Sequence, residues 1–417
     1  MRPDPGVAPP QARRRVVITG LGVISSIGTG AAEFTDGLRQ GRSGVRPITA
    51  FNIAGFAHTN ACEVPDFVPE RWISRLKPED LGRATQLSIA STVLALGDAG
   101  LTPERIRGQR TLIAVGTTYG ESGEVDRIVA QQVESGTEDV DKHAAAKSAS
   151  SRLSIDVARE LELTEAEAVT IPTACAAGNY AIGYGFDAVA SGEADVALCG
   201  GVDALLRMTF VTFYRLGTIA PQTCQPFDRN RKGILTGEGG AILVLEDLDS
   251  AIARGAHIYA EVLGYGLACD AHHPVAPDQQ SVARCIAQAH ANAGIISGQV
   301  DYISAHGTGT KANDVTEAAA IRQVFAGNPP PTSSLKSMLG HSMGAASALA
   351  VAGCALALEN GFIPPTINHT ETDPEIDIDC VPNVARQAEL RIVQNNSLAF
   401  AGNDAVLILG RYGKDVA

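Results

Sequence analysis

The reactive side chains of this sequence fall in three short segments. Thr173-Ala174-Cys175-Ala176-Ala177-Gly178 offers a thiol, and Ser304-Ala305-His306-Gly307-Thr308-Gly309-Thr310 offers an imidazole. Ser334-Leu335-Lys336-Ser337-Met338-Leu339-Gly340-His341 adds an ammonium and a second imidazole. A strand ending near Pro172 and a helix starting just after Cys175 put the thiol at the positive end of a helix. Free N–H groups and the helix dipole favour thiolate there. Such a sulfur attacks carbonyl carbon, and the same N–H groups can hold the oxyanion that develops. His306 follows a strand and sits in a Gly/Thr loop with room around it, which suits a site residue better than a packing one. Lys336 and His341 stand at the mouth of a wholly apolar helix. A lysine there is costly to bury unless paired. Glu317, on the helix after His306, is the expected partner.

The elements that must position these groups alternate along the chain. Apolar or β-branched runs at 16–19, 111–115, 168–171, 195–199, 241–245 and 302–304 read as strands. Helical patterns cover 87–98, 151–161, 281–293 and 315–325. The alternation predicts an α/β fold with largely parallel sheets. Helices at 176–191 and 343–359 are rich in Ala and Gly and almost free of charge, so they must be buried on every side. One lies in each half of the chain, as expected of two similar halves stacked into a single layered body. Gly20-Leu21-Gly22 is no dinucleotide fingerprint, because the third glycine position is Ser25.

Composition narrows the classes further. The 417 residues are 45% hydrophobic and 19% charged, which is globular. A net charge of −13 argues against a nucleic-acid binder. The eight cysteines are scattered without a C-x-x-C pair, which disfavours a disulfide framework or a zinc site. Residues 1–15 are Pro-rich, end in three arginines and lack the apolar core of a signal peptide. No stretch approaches the roughly 20 apolar residues of a membrane span. The chain reads as a soluble, cytoplasmic protein.

Taken together, the three segments resemble the beta-ketoacyl-ACP synthases, type II condensing enzymes of the thiolase-fold superfamily. The likeness runs from about Arg15 to Tyr412. It covers VVITGLGVIS at the start, TACAAG, PFDRNRKGILTGEGGAILVLE (226–246), HGTGT, LKSMLGH and PPTIN (364–368). It implies a thiolase-like fold of two similar βαβ halves stacked as α-β-α-β-α. Residues 15–255 would carry the nucleophile and 256–412 the two histidines, with tails at 1–14 and 413–417. The implied reaction is a decarboxylative Claisen condensation. Cys175 would take an acyl chain from an acyl carrier protein. His306 and His341 would stabilise the enolate left when a malonyl thioester loses CO₂. The N–H groups of Cys175 and Phe400 would form the oxyanion hole, and Lys336 with Glu317 would tune the field around the histidines. Phe213, Thr308, Thr310 and Tyr119 are the implied substrate contacts. No metal or cofactor is implied, because the phosphopantetheine arm comes with the carrier. The implied assembly is a dimer, either of identical chains or with a ketosynthase-like chain-length subunit.

The sequence departs from that family pattern in places. Where many relatives read GFGGTN, this chain has Ala399-Phe400-Ala401-Gly402-Asn403-Asp404, with two glycines replaced by alanine and asparagine by Asp404. Alanine narrows the accessible backbone range, so this loop is expected to swing less freely. Leu398 stands where an aromatic is common. Tyr119 stands where a smaller aliphatic is common, and is expected to shorten or polarise the far end of the acyl tunnel. These departures lean towards specialised polyketide or polyene assembly over housekeeping fatty-acid synthesis. Arg71, Arg75 and Lys77, with Arg83 and Arg215, resemble the basic region that meets an acidic carrier protein. A coenzyme A-dependent thiolase would need a second cysteine within 398–406, which holds none; Cys380 lies in a different context. A non-catalytic chain-length subunit would lack the nucleophile, which is present.

Overall fold

The computed structural model describes residues 13–413, so the expected tails at 1–14 and 413–417 lie almost wholly outside the described residues. Ten strands follow one hydrogen-bonded path. They are β1 (Val16–Ser25), β2 (Thr111–Gly116), β3 (Glu167–Ile171), β4 (Val196–Asp203), β5 (Gly239–Asp247), β6 (Ala260–Cys269), β7 (Tyr302–Ser304), β8 (Thr332–Ser333), β9 (Ile392–Ser397) and β10 (Asn403–Gly410). Their order is β8-β7-β9-β10-β6-β1-β5-β4-β2-β3. Cut between β6 and β1, the path gives two five-stranded sheets that each run third-second-fourth-fifth-first in chain order. In both sheets the first three strands in that order are parallel and the last two are antiparallel. Only three register pairs, Val16 to Ile18 against Val262 to Ala260, join the halves along the sheet.

Seven helices matter here: α1 (Arg83–Asp98), α2 (Arg152–Leu161), α3 (Ala177–Ser191), α4 (Arg207–Arg215), α5 (Gln279–Ala293), α6 (Lys311–Val324) and α7 (Gly344–Asn360). α1 and α2 cover the outer face of the first sheet, and α5 and α6 that of the second. Between the sheets lie α3 and α7, which pack on each other and on strands of both halves. The result is the expected layered α-β-α-β-α body. Every residue of α7 from Gly344 to Leu358 is buried. Small side chains let the layers close up. A Cβ on Gly178 would stand 2.7 Å from Ser347 Oγ and 2.8 Å from Ala348 N.

The observed elements extend the expected ones, for physical reasons. β1 runs ten residues and is buried throughout, so it shows no alternation of apolar and polar positions. Its glycines admit α1, whose Ala95 carbonyl would stand 2.3 Å from a Cβ on Gly20. α6 begins at Lys311 rather than near 315, its polar first turn lying under the His306 loop. β6, β8, β9 and β10 were not expected from the sequence. β9 hides its nature because its core is polar: Gln394, Asn395 and Asn396 are all buried. Each bonds across the layers, to His290, Asn179 and Glu317 respectively.

Candidate active site

Each half delivers its reactive group through the same device. After β3, Ala174 adopts φ +51°, a left-handed conformation that costs about 1 kcal/mol for a residue with a Cβ. The chain then makes one 3₁₀ turn, Ala174–Ala176, and enters α3. Cys175 sits on that turn, 5% exposed. In the second half, His341 precedes Met343 at φ +52°, and α7 follows. Asp203, at the end of β4, ties the turn after β2 to the entrance of α7. It accepts from Thr117 Oγ1 (2.7 Å), Thr118 N (2.7 Å) and Tyr119 N (3.1 Å) after β2, and from Gly344 N (2.6 Å) at the start of α7. Ser397 Oγ donates to the Cys175 carbonyl at 3.0 Å, fastening the nucleophile to β9.

His306 and His341 meet with ring centroids 5.5 Å apart at 81°. Burial, foremost, and the Lys336 ammonium hold both imidazoles well below their usual pKa, so both are neutral near pH 7. Their tautomers follow from their partners. His341 Nδ1 accepts from Met343 N at 3.2 Å, and His306 Nδ1 faces Lys336 Nζ at 3.3 Å. The proton of each neutral ring therefore sits on Nε2, and each ring is a donor there.

Two expectations are corrected at this point. Lys336 and Glu317 do not pair directly. Lys336 Nζ donates to the His306 carbonyl at 2.6 Å. The Glu317 carboxylate accepts instead from the N–H groups of His306 and Gly307 (2.8 Å each) and from Asn396 Nδ2 (3.2 Å). Lysine and glutamate thus grip the same peptide from opposite sides, and their mutual attraction acts only at longer range. The thiol, likewise, does not rest as thiolate. Burial pushes it up to about 11, although the Lys336 ammonium and the N–H groups of Phe400 and Cys175 all pull downwards. The helix terminus supplies donors, but desolvation wins until a substrate displaces the balance.

Cys175, His306 and His341 line one cavity of about 220 Å³. Phe213, Thr308, Thr310 and Phe400 share its wall, as expected. Phe213 packs on Phe400 with centroids 5.5 Å apart, and the two threonine hydroxyls lie 2.8 Å from each other. The Phe400 N–H lies near enough to the Cys175 sulfur to favour its thiolate. Tyr119 is half-buried beside Thr212, within electrostatic reach of the thiol, but does not line this cavity. Sequence reasoning missed the segment His273 to Pro277, which forms part of the wall. Its signal was the Pro- and His-punctuated run between a strand and α5. Asp203 and Asp314 were missed as well. Asp314 accepts from Phe227 N (2.8 Å), Thr308 N (3.0 Å) and Gly309 N (3.2 Å), and so shapes the histidine loop. Among the described residues no three His, Cys, Asp or Glu side chains converge as metal ligands would, and no helix is long and apolar enough to cross a membrane.

The basic residues scatter. Arg83 is a structural ion-pair member, not a free docking charge: it forks onto Glu238 at 2.6 and 2.9 Å, and that carboxylate is almost wholly buried. Arg75 pairs with Glu162 at 2.5 Å, just past the end of α2. That places it at the start of β3, whereas Cys175 follows the end of β3. Arg71 and Lys77 are exposed on the same segment. Arg215 is exposed beside Leu216, which lines the cavity.

Comparison with known proteins places this geometry among relatives. The family model "Beta-ketoacyl synthase, N-terminal domain" matches residues 13–251, and "Beta-ketoacyl synthase, C-terminal domain" matches 259–370. The chain is 37% identical over 418 residues to the tetracenomycin polyketide synthase ketoacyl synthase alpha subunit of Streptomyces glaucescens, covering 96% of this chain and 98% of that one. Among solved structures it is similar to the ishigamide ketosynthase/chain length factor, at 57% identity and TM-score 0.95, covering 96% of this chain and 100% of that one. It is also similar to the ketosynthase complex AntDE:AntF, a type II PKS acyl-carrier protein with its ketosynthase bound to the hexaketide, at 30% identity and TM-score 0.87, with 96% and 100% covered.

Proposed function

The chain belongs to the beta-ketoacyl synthase family, and we propose that within it the protein is the catalytic chain of a type II polyketide ketosynthase, working in the cytoplasm on acyl groups held by a carrier protein. It is an acyltransferase that joins an acyl-cysteine thioester to malonyl-ACP by decarboxylative Claisen condensation. One observation carries the assignment of roles: a thiol from the first half and two Nε2–H imidazoles from the second open on one cavity.

The roles follow from that placement. Cys175 Sγ attacks the acyl carbonyl, the N–H groups of Cys175 and Phe400 hold the oxyanion, and the carrier thiol leaves with the cysteine's proton. A malonyl thioester then enters past Phe400. His306 and His341 donate from Nε2 to its thioester oxygen, so the bond to the carboxylate breaks, CO₂ leaves and the electron pair remains as enolate. Each such donor is worth about 3 kcal/mol in a preorganised, dry site. The enolate carbon attacks the acyl-Cys175 carbonyl, and collapse of that adduct releases the two-carbon-longer product. One proton from solvent restores the thiol. Neutral imidazoles suit this task, since cationic rings would bind the malonyl carboxylate and stabilise the ground state. No resident cofactor is required, because the phosphopantetheine arm arrives on the carrier.

Two observations support a dimer with a chain-length subunit. β3 ends the sheet with an open edge among the described residues, and its residues 168–171 are only half-buried. Edges of that kind call for a partner strand. The 57% identical solved structure is itself a ketosynthase/chain length factor. Incubating the purified protein, with and without a co-expressed ketosynthase-like partner, with a panel of acyl carriers plus malonyl carrier tests the reading. Products extended by more than one two-carbon unit, formed only by the pair, are expected. Equal extension of short saturated acyl groups by the lone chain would point to fatty-acid synthesis instead.

A further inference from the structure

Two loops that border the cavity are latched to each other, and an unbalanced acid lies behind the latch. Ala401 N donates to the Pro274 carbonyl at 2.8 Å, and Asp270 N to the Gly402 carbonyl at 3.1 Å. The Asp270 carboxylate lies against Gly402, where a Cβ would stand 1.9 Å from its Oδ1. It also folds its own loop, accepting from His272 N at 3.0 Å and from Asp278 N at 3.3 Å. Ala401 itself holds φ +64°, a left-handed conformation that this contact must maintain.

Two residues further on, in β10, Asp404 is 1% exposed, and neither of its oxygens has a hydrogen-bond partner. Asp270 and Asp278 face it from the loop, Glu317 from α6, Ser281 and Cys285 from α5, and Tyr180 from α3. No cation is among these groups. Ser281 Oγ is likewise without a partner. A carboxylate here would be desolvated and would face three like charges, and these outweigh the one hydroxyl, Ser281, that pulls towards the anion, so the neutral acid is favoured. Burial first, then Asp270, Glu317 and Asp278, push its pKa up to about 8.

We propose that Asp404 is a proton-held positioning residue. As the neutral acid it lets the 270–278 loop seat on 399–403 and so sets the Phe400 N–H near the Cys175 sulfur; as the anion it repels Asp270 and Asp278 and frees both loops. The step from latch to catalysis rests on the condensing-enzyme reading above, but the latch itself does not. The sign is fixed by the raised pKa: the latch holds below that value and is lost as pH rises through it.

Hydrogen-exchange mass spectrometry on the full chain tests this at about pH 6.5 and about pH 9.5, with rates corrected for intrinsic exchange. Wild type is compared with Asp404→Asn, which keeps the shape and does not ionise. Peptides spanning 270–278 and 399–404 should lose roughly tenfold in protection at the higher pH in wild type and hold steady in Asp404→Asn. Acyl transfer to Cys175 should show an alkaline limb in wild type that the variant lacks. Unchanged wild-type protection between the two pH values overturns the proposal by itself, as does the same change in both proteins. Alkaline opening specific to wild type, in a protein that never acylates Cys175, would uphold the latch and count against the condensing-enzyme reading.

Discussion

Lys336 is the residue on which the site's electrostatics turn. Its ammonium is buried, donates to the His306 carbonyl, and pulls down the pKa of the thiol and of both imidazoles. Replacing it with methionine keeps the bulk and removes the charge. The Cys175 thiol should then titrate above its present value of about 11, and iodoacetamide should alkylate it several-fold more slowly at a fixed pH of about 9. An unchanged alkylation profile would remove Lys336 from the account. The histidines make a second prediction. Buried and neutral in the fold, they bind protons near pH 6.5 once unfolded. Below that value the unfolded chain takes up more protons than the native one, so stability falls with falling pH. The double variant His306→Asn with His341→Asn should show a shallower loss of Tm between about pH 7 and about pH 5. At this scale the sequence was informative about identity and less so about partners. Cys175, His306 and His341 stand in contexts that few other roles require. Which acceptor lies within reach of Lys336 depends on the path of the chain, and Glu317 proved to be holding the backbone of His306.

Between residue and molecule stand α3 and α7, which carry the reactive groups at their N-terminal ends. Their composition announced them, because a helix with neither charge nor a polar face has nowhere to sit but between layers. Gly178, at the first turn of α3, marks where the two helices touch. Alanine there would bring a Cβ within 3 Å of Ser347 Oγ, Ala348 N and Ala348 Cβ, and backbone atoms yield poorly. Gly178→Ala should cost about 1–3 kcal/mol in denaturant unfolding and reduce kcat more than it raises KM, since the shift falls beside Cys175. A fully stable and fully active variant would mean the layers are looser than described. β9 is the counter-example in legibility. Its Gln-Asn-Asn core reads as a surface loop, and only the layers on either side turn those amides into inter-helix ties.

In the whole molecule, two copies of one strand order face each other across the buried helices, and the cavity opens where their ends meet. The sequence hinted at this duplication only through the two apolar helices, since three of the second half's five strands are short or polar: β7 and β8 run three and two residues, and β9 has a Gln-Asn-Asn core. Surface charge was less legible still, because an arginine's role depends on which carboxylate the fold brings to it. Arg215→Glu, at the mouth, should raise KM for carrier-bound substrate several-fold, and more steeply at low salt. Arg83→Ala should leave that salt dependence alone. It should instead cost on the order of 2 kcal/mol in stability by stranding Glu238, with the partial exposure of Arg83 moderating the loss. The account as a whole depends on a sulfur from one half working with imidazoles from the other. Peptide mass spectrometry after incubation with acyl carrier should find the acyl mass on Cys175 alone. Adding malonyl carrier should clear it in wild type while it persists in the His306→Asn, His341→Asn protein. An acyl group that settles on another residue, or that malonyl carrier removes just as fast without the histidines, would contradict the mechanism.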